Sequence, residues 1–116
     1  MKLVVIESPY AGNPKRNLLY LDYCIRDCLA MDESPYASHL MLTTALDDND
    51  PNHRALGIAA GLEWRMRADD RIFYTDLGWS RGMVAARNLY DKEGLLYTRR
   101  YLPPADLREF QRESHG

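Results

Sequence analysis

Cysteine is scarce in this chain. Cys24 and Cys28 are the only two in 116 residues. They sit four apart in a helical pattern, a spacing with poor geometry for a disulfide, and they have no partner ligands for zinc. They are expected as free, buried thiols in a cytoplasmic protein. A surplus of positive charge is missing too. Fifteen Lys and Arg stand against 17 Asp and Glu, for a net charge of −2. Nucleic acid is therefore not expected as the main partner, because neutralising phosphates requires a basic excess. Long apolar runs are absent. Leu3-Val4-Val5-Ile6 meets Glu7 after four residues, which fits neither a signal peptide nor a membrane span. The run Asp47-Asp48-Asn49-Asp50 with His53 lacks the glycine and distal glutamate of a calcium loop. It reads as a solvated, capped loop, and no metal or cofactor is expected. No repeat, low-complexity tract or internal linker interrupts the chain.

What remains suits one domain. With 46% hydrophobic residues, the chain can bury a core. Residues 2–7 read as a first strand buried on both faces, as in a parallel sheet. Asn17 is expected to cap a helix running to Met31. In that helix Leu18, Leu21, Ile25, Cys28 and Leu29 face inward, while Asp22, Arg26 and Asp27 face out. Asp32-Glu33-Ser34-Pro35 reads as a break, and 36–42 as a short second strand. Asp50-Pro51 starts a helix to Arg67, with Ala55, Ile58, Ala59, Leu62 and Met66 inward. Gly57 and Gly61, one turn apart within it, suggest close approach of another backbone, from the sheet or from a second subunit. Residues 71–75 are β-branched and aromatic, the composition of a central strand. Ser80 caps the next helix, whose inner face is Gly82, Met83, Ala86 and Tyr90, and Gly94 ends it. A last strand over 95–102, a short helix over 105–112 and a loose tail complete the chain. The main domain is expected at 1–102 and the helix and tail at 103–116.

Strands alternating with helices imply an α/β fold: a small Rossmann-like or flavodoxin-like, doubly wound parallel sheet of about four strands with flanking helices. The loops after the first and third strands then open on one carboxyl edge, where such sheets bind ligands. This groups Ser8, Pro9, Tyr10, Gly78, Trp79, Ser80 and Gly82. Tyr10 and Trp79 either stack a ring between them or pack the loops down. Asp76 either holds a ribose hydroxyl or is a turn residue. His39 ends the second strand at the same edge, as a ligand contact or a structural residue. The start of the helix at Ser80 offers free N–H groups to an anion, and Arg99 and Arg100 either guide a phosphate or are solvated.

Together these pieces resemble the nucleoside 2-deoxyribosyltransferase-like superfamily, in particular its small bacterial and phage members. The matching motifs are Glu7-Ser8-Pro9-Tyr10, Ser38-His39-Leu40, Asp47-Asp48-Asn49-Asp50-Pro51 with Arg54-Ala55-Leu56-Gly57, and Gly78-Trp79-Ser80-Arg81-Gly82-Met83. They run in order across about residues 3–100. The resemblance implies binding of a nucleoside, a nucleotide or an ADP-ribose-type molecule by Ser8, Pro9, Tyr10, His39, Asp76, Gly78, Trp79, Ser80, Gly82 and Met83. It also implies a homo-oligomer, since such pockets are often completed by a neighbouring subunit. Enzymes of the superfamily cleave an N-glycosidic bond with a glutamate three residues after that methionine. Here that position is Ala86. Loss of a covalent nucleophile costs many orders of magnitude in rate, so the expectation is a non-catalytic binder that sequesters a nucleotide-derived signal. The alternatives are an N-glycosidase or deoxyribosyltransferase using Glu7 or Asp76, and a protein-interaction domain using the Gly57/Gly61 helix or the terminal segment.

Overall fold

The computed structural model describes residues 1–115. The chain runs β1 (Lys2–Glu7), α1 (Pro14–Ala30), β2 (Glu33–Tyr36), α2 (Ser38–Ala45), α3 (Pro51–Arg67), β3 (Asp70–Tyr74), α4 (Arg81–Glu93), β4 (Thr98–Arg100), α5 (Pro104–His115). All strand pairs are parallel, in the order β2-β1-β3-β4. This is the expected small doubly wound α/β fold. Among the described residues no helix is long and apolar enough to cross a membrane.

Side chains alternate across a strand, and that alternation divides the core. Val4, Ile6, Ile72 and Tyr74 pack with Tyr20, Leu21, Cys24 and Cys28 of α1 and Phe110 of α5. Phe73 points the other way, onto Met83, Ala86 and Tyr90 of α4. Both cysteines are buried and free, as expected. Ser80 caps α4 by accepting the Met83 N–H at 3.2 Å. Gly94 ends that helix at φ +67°, in the left-handed region that favours glycine.

Several sequence expectations are corrected. The second strand is Glu33–Tyr36, not 36–42. Its Pro35 is tolerated because β2 lies at the sheet edge, where a missing N–H breaks no ladder. His39 therefore belongs to α2, a helix, rather than to a strand end. The cap of α1 is Asn13, with Pro14 at the first helical position. Asn17 is buried, and its amide donates to the carbonyls of Tyr10 (2.9 Å) and Ala11 (3.1 Å), pinning the loop after β1. Asp27 is buried, because the Tyr74 hydroxyl donates to it at 2.7 Å, while Leu29 is about half exposed.

The largest departure is α3. Only Gly61 of its 17 residues is buried; Ala55, Ile58, Ala59 and Met66 are exposed. The helix stands off the sheet instead of lying on it. Gly82 is exposed as well. The last strand shrinks to three residues. Helix α5 runs on to His115 where a loose tail was expected. Its Phe110 packs on Tyr20 and Tyr23 of α1, with ring centroids 5.3 and 6.1 Å away.

Candidate functional site

Because the strands are parallel, the ends of β1 and β3 face the same edge. A cavity of about 810 Å³ opens there. One wall is the loop after β1, with Ser8 and Tyr10. A second is the start of α2, with Ser38 and His39. Arg54, Gly57 and Ile58 of α3 form a third, and Ser80, Arg81, Gly82, Met83 and Ala86 around the start of α4 form the fourth. A second cavity, of about 630 Å³, lies between α3 and the β1–β2 edge. Leu3, Val5, Pro35, Tyr36 and Trp64 make it mostly apolar, and its charged residues Glu63 and Arg67 pair with each other. Convergent polar groups mark a ligand site, so the carboxyl-edge cavity is the candidate.

Its deepest charge is Glu7, at the end of β1 and 4% exposed. Arg65 of α3 grips this carboxylate with both prongs, Nε to Oε2 at 2.8 Å and Nη2 to Oε1 at 3.0 Å. The Tyr90 hydroxyl of α4 donates to the same carboxylate. Burial opposes the Arg65 charge, but the bonds to Glu7 outweigh it and hold its pKa above the usual value. Burial and the neighbouring Glu7 push the Tyr90 phenol up. Gly61 is explained by this pair. A Cβ there would lie 2.8 Å from a guanidinium nitrogen of Arg65 and 3.4 Å from Ser38 Oγ. Within one chain, the bare helix surface makes room for a side chain held by Glu7 and for Ser38 of α2.

Above this floor, Ser8 Oγ lies 3.2 Å from His39 Nε2. The imidazole sits edge-on to Tyr10, with ring centroids 6.3 Å apart. Burial lowers the His39 pKa from its usual 6.5, with Glu7 pulling it up and Arg65 down. The neutral ring dominates at pH 7.

Of the residues expected to bind, Ser8, Tyr10, His39, Ser80, Gly82 and Met83 line this cavity. Pro9 is buried and outside its lining. Asp76 is tied to the α1 and α5 side: its Oδ2 accepts from the Tyr20 hydroxyl at 2.5 Å and from the Leu102 N–H at 3.0 Å. Gly78 forms an exposed turn at φ +86°. Trp79 packs on Phe73 (4.8 Å) beneath the Arg87 guanidinium (4.7 Å). No Tyr10–Trp79 clamp forms, because the Trp79 ring is drawn into the apolar cluster under α4. Arg99 donates to the Thr75 hydroxyl at 2.8 Å, and Arg100 pairs with Glu33. Sequence reasoning passed over Arg65 and gave Tyr90 only as part of the inner face of its helix, where it is indeed buried. The only local signal of Arg65 is Gly61, one turn before it.

A family model described as a domain of unknown function, DUF7768, matches residues 2–100. The chain belongs to this family. The DUF7768 match starts with β1, ends with β4 and leaves out α5, so every wall of the carboxyl-edge cavity falls inside it. Comparison with curated proteins and with solved structures gave no match.

Proposed function

We propose that the carboxyl-edge cavity binds a nucleoside, nucleotide or ADP-ribose-type molecule and holds it without turnover, so that the protein sequesters a nucleotide-derived signal. The observation that carries this reading is Ala86. The position where the resemblance calls for a nucleophile lies in the cavity wall and carries a methyl group. About 810 Å³ is within the usual range for a small-molecule site. Arg54, Arg81 and the positive end of α4 line it, which suits a phosphate. Tyr10 offers a ring face for a base. A glycosidase using Glu7 is less well supported, because Arg65 and Tyr90 already occupy that carboxylate. Asp76 is committed to Tyr20 and Leu102.

We also propose a homo-oligomer. Leu56, Ile58, Trp64 and Met66, spread around α3, are all about half exposed or more, apolar area that a neighbouring subunit would cover. With its two free thiols, the protein fits a reducing compartment, and the cytoplasm is the proposed location.

The test mixes the purified protein with nucleosides, nucleotides and ADP-ribose-type compounds. Each mixture is passed through a small-pore filter and analysed by mass spectrometry, before and after heating. The expected result is one compound that is retained and returns intact. Free base in the filtrate replaces the binder with an enzyme, and free passage of every compound moves the interaction-domain reading forward. Ala86→Glu is expected to turn the retained compound into slowly released base. Light scattering at micromolar concentration reads the assembly, and a monomer removes the oligomer.

A further inference from the structure

Ser8 and His39 meet a geometric condition that ligand binding does not require. The hydroxyl at the end of β1 lies 3.2 Å from His39 Nε2, within hydrogen-bond reach. Ser8 and His39 both line the cavity. Asn17 pins the loop beyond Ser8, and the Thr43 hydroxyl donates to the His39 carbonyl at 2.5 Å. The backbones that carry the two partners are thus held separately, one by Asn17 and the other within α2. The ring is kept neutral by burial, and the charged groups facing it, Glu7 from β1 and Arg65 from α3, are paired with each other. In the tautomer protonated at Nδ1, Nε2 of this neutral ring accepts the Ser8 proton near pH 7. Across the cavity, Ser80 takes the Met83 N–H with its side chain and the Val84 N–H with its carbonyl. The N–H groups of Arg81 and Gly82 precede those in the first turn and have no intrahelical acceptor. Both residues line the same space, and Gly82 puts no side chain in the way. Nucleophile, base and backbone donors for an oxyanion share one cavity.

We propose that Ser8 and His39 form a nucleophile–base dyad that hydrolyses small carboxylic esters bearing an anionic group. His39 Nε2 accepts the Ser8 proton as Oγ bonds to the ester carbonyl carbon, and the carbonyl electron pair moves onto oxygen, facing the start of α4. When the C=O re-forms, the bond to the alcohol breaks, and the alcohol leaves with the proton from His39. A water molecule, deprotonated by the same nitrogen, then attacks the acyl carbon; when the C=O re-forms, the acyl–Oγ bond breaks and Oγ takes the proton back from His39. The products are a carboxylic acid and the restored serine. The anionic preference follows from Arg54 and Arg81, two exposed cations of the lining against one exposed acid, Asp48. This activity does not depend on whether the cavity also takes a nucleotide.

The full chain is incubated with 4-nitrophenyl hydrogen succinate and, separately, with the neutral 4-nitrophenyl acetate. Nitrophenol release is followed, and the protein is mapped by mass spectrometry. One acyl group on Ser8 is expected, with faster release from the anionic ester. The rate should fall as pH drops through a single ionisation below 6.5. Ser8→Ala should abolish the adduct, and Ser8→Cys should restore one as a thioester while reporting that the fold is intact. His39→Gln should slow acylation by about 10²-fold or more. An adduct mapped only to other residues, wild-type release from Ser8→Ala, or no adduct from either ester overturns the dyad. Equal rates for the two esters overturn the anionic preference. Retention of a nucleotide with no acyl-Ser8 likewise removes this inference, and it leaves the binding reading standing.

Discussion

The two faces of the sheet are built differently. On the α1 and α5 face, Val4, Ile6, Ile72 and Tyr74 meet two helices over their length. The polar groups there satisfy each other. Tyr74 donates to Asp27 at 2.7 Å and accepts from Arg100 at 3.1 Å. Arg100 in turn holds Glu33 with bonds of 2.8 and 3.0 Å. On the opposite face only α4 packs closely. Helix α3 stands away, tied by Arg65 to Glu7 and by the Trp64 ring stacked 4.7 Å from Tyr36. Both cavities lie along that loosely held helix. One face therefore supplies stability, and the other leaves room for a ligand at the cost of apolar burial.

The comparison breaks most sharply by truncation. Phe110→Ala on the packed face should cost about 3–5 kcal/mol, a fall in Tm of roughly 15 °C or more in thermal denaturation. Leu56→Ser, at a position 61% exposed on α3, should stay within about 0.5 kcal/mol when measured at a protein concentration low enough to keep the chain monomeric. Similar losses at the two sites would mean that α3 is as firmly packed as α1.

A smaller effect separates binding from folding on the open face. The first turn of α4 carries no acid, and a Cβ at Gly82 would meet only Ser80 Oγ, at 3.9 Å. Gly82→Asp should leave Tm unchanged or stabilise by about 0.3–1 kcal/mol through the helix dipole. The same charge should weaken an anionic ligand about tenfold in calorimetry. Unchanged affinity would take the ligand away from the start of α4.

Acid titration should separate the faces by the least. His39 is neutral in both states above its usual 6.5. As pH falls, the unfolded chain takes the proton first, because burial lowers the folded value, so stability drops from about pH 6.5 downward. Glu33 acts later. Its bond from Arg100 holds its pKa below 4.5, so its contribution is complete above that pH and is lost as pH falls through the folded value. In urea titrations, His39→Gln should flatten the first decline and leave the second. If it flattens neither, His39 is exposed in solution.

Much of the candidate site was legible because its residues are set by local rules. Ser8 follows an apolar run, and Ser80 precedes a helix at a capping position. Parallel pairing then brings both to one edge. Residues in the intervening turns could not be placed this way. Asp76 and Trp79 adjoin the same strand, yet one turns to Tyr20 and the other to Phe73. Which face a turn residue serves depends on partners more than 50 positions away for Asp76 and six for Trp79.

By itself the sequence determined the alternation of strands and helices apart from α2, the parallel α/β architecture, the caps at Asp50 and Ser80, and the methyl side chain at position 86. Those features rest on backbone hydrogen bonding, side-chain period and residue chemistry, which act over a few neighbouring residues. Tertiary structure alone decided that α3 stands off the sheet, that Glu7 is taken by Arg65 and Tyr90, and that Ser8 meets His39. Glu7 and Arg65 are 58 residues apart, and Ser8 and His39 are 31. Such pairs form only after the crossovers have brought the strand ends together, because no local preference joins residues so distant in the chain.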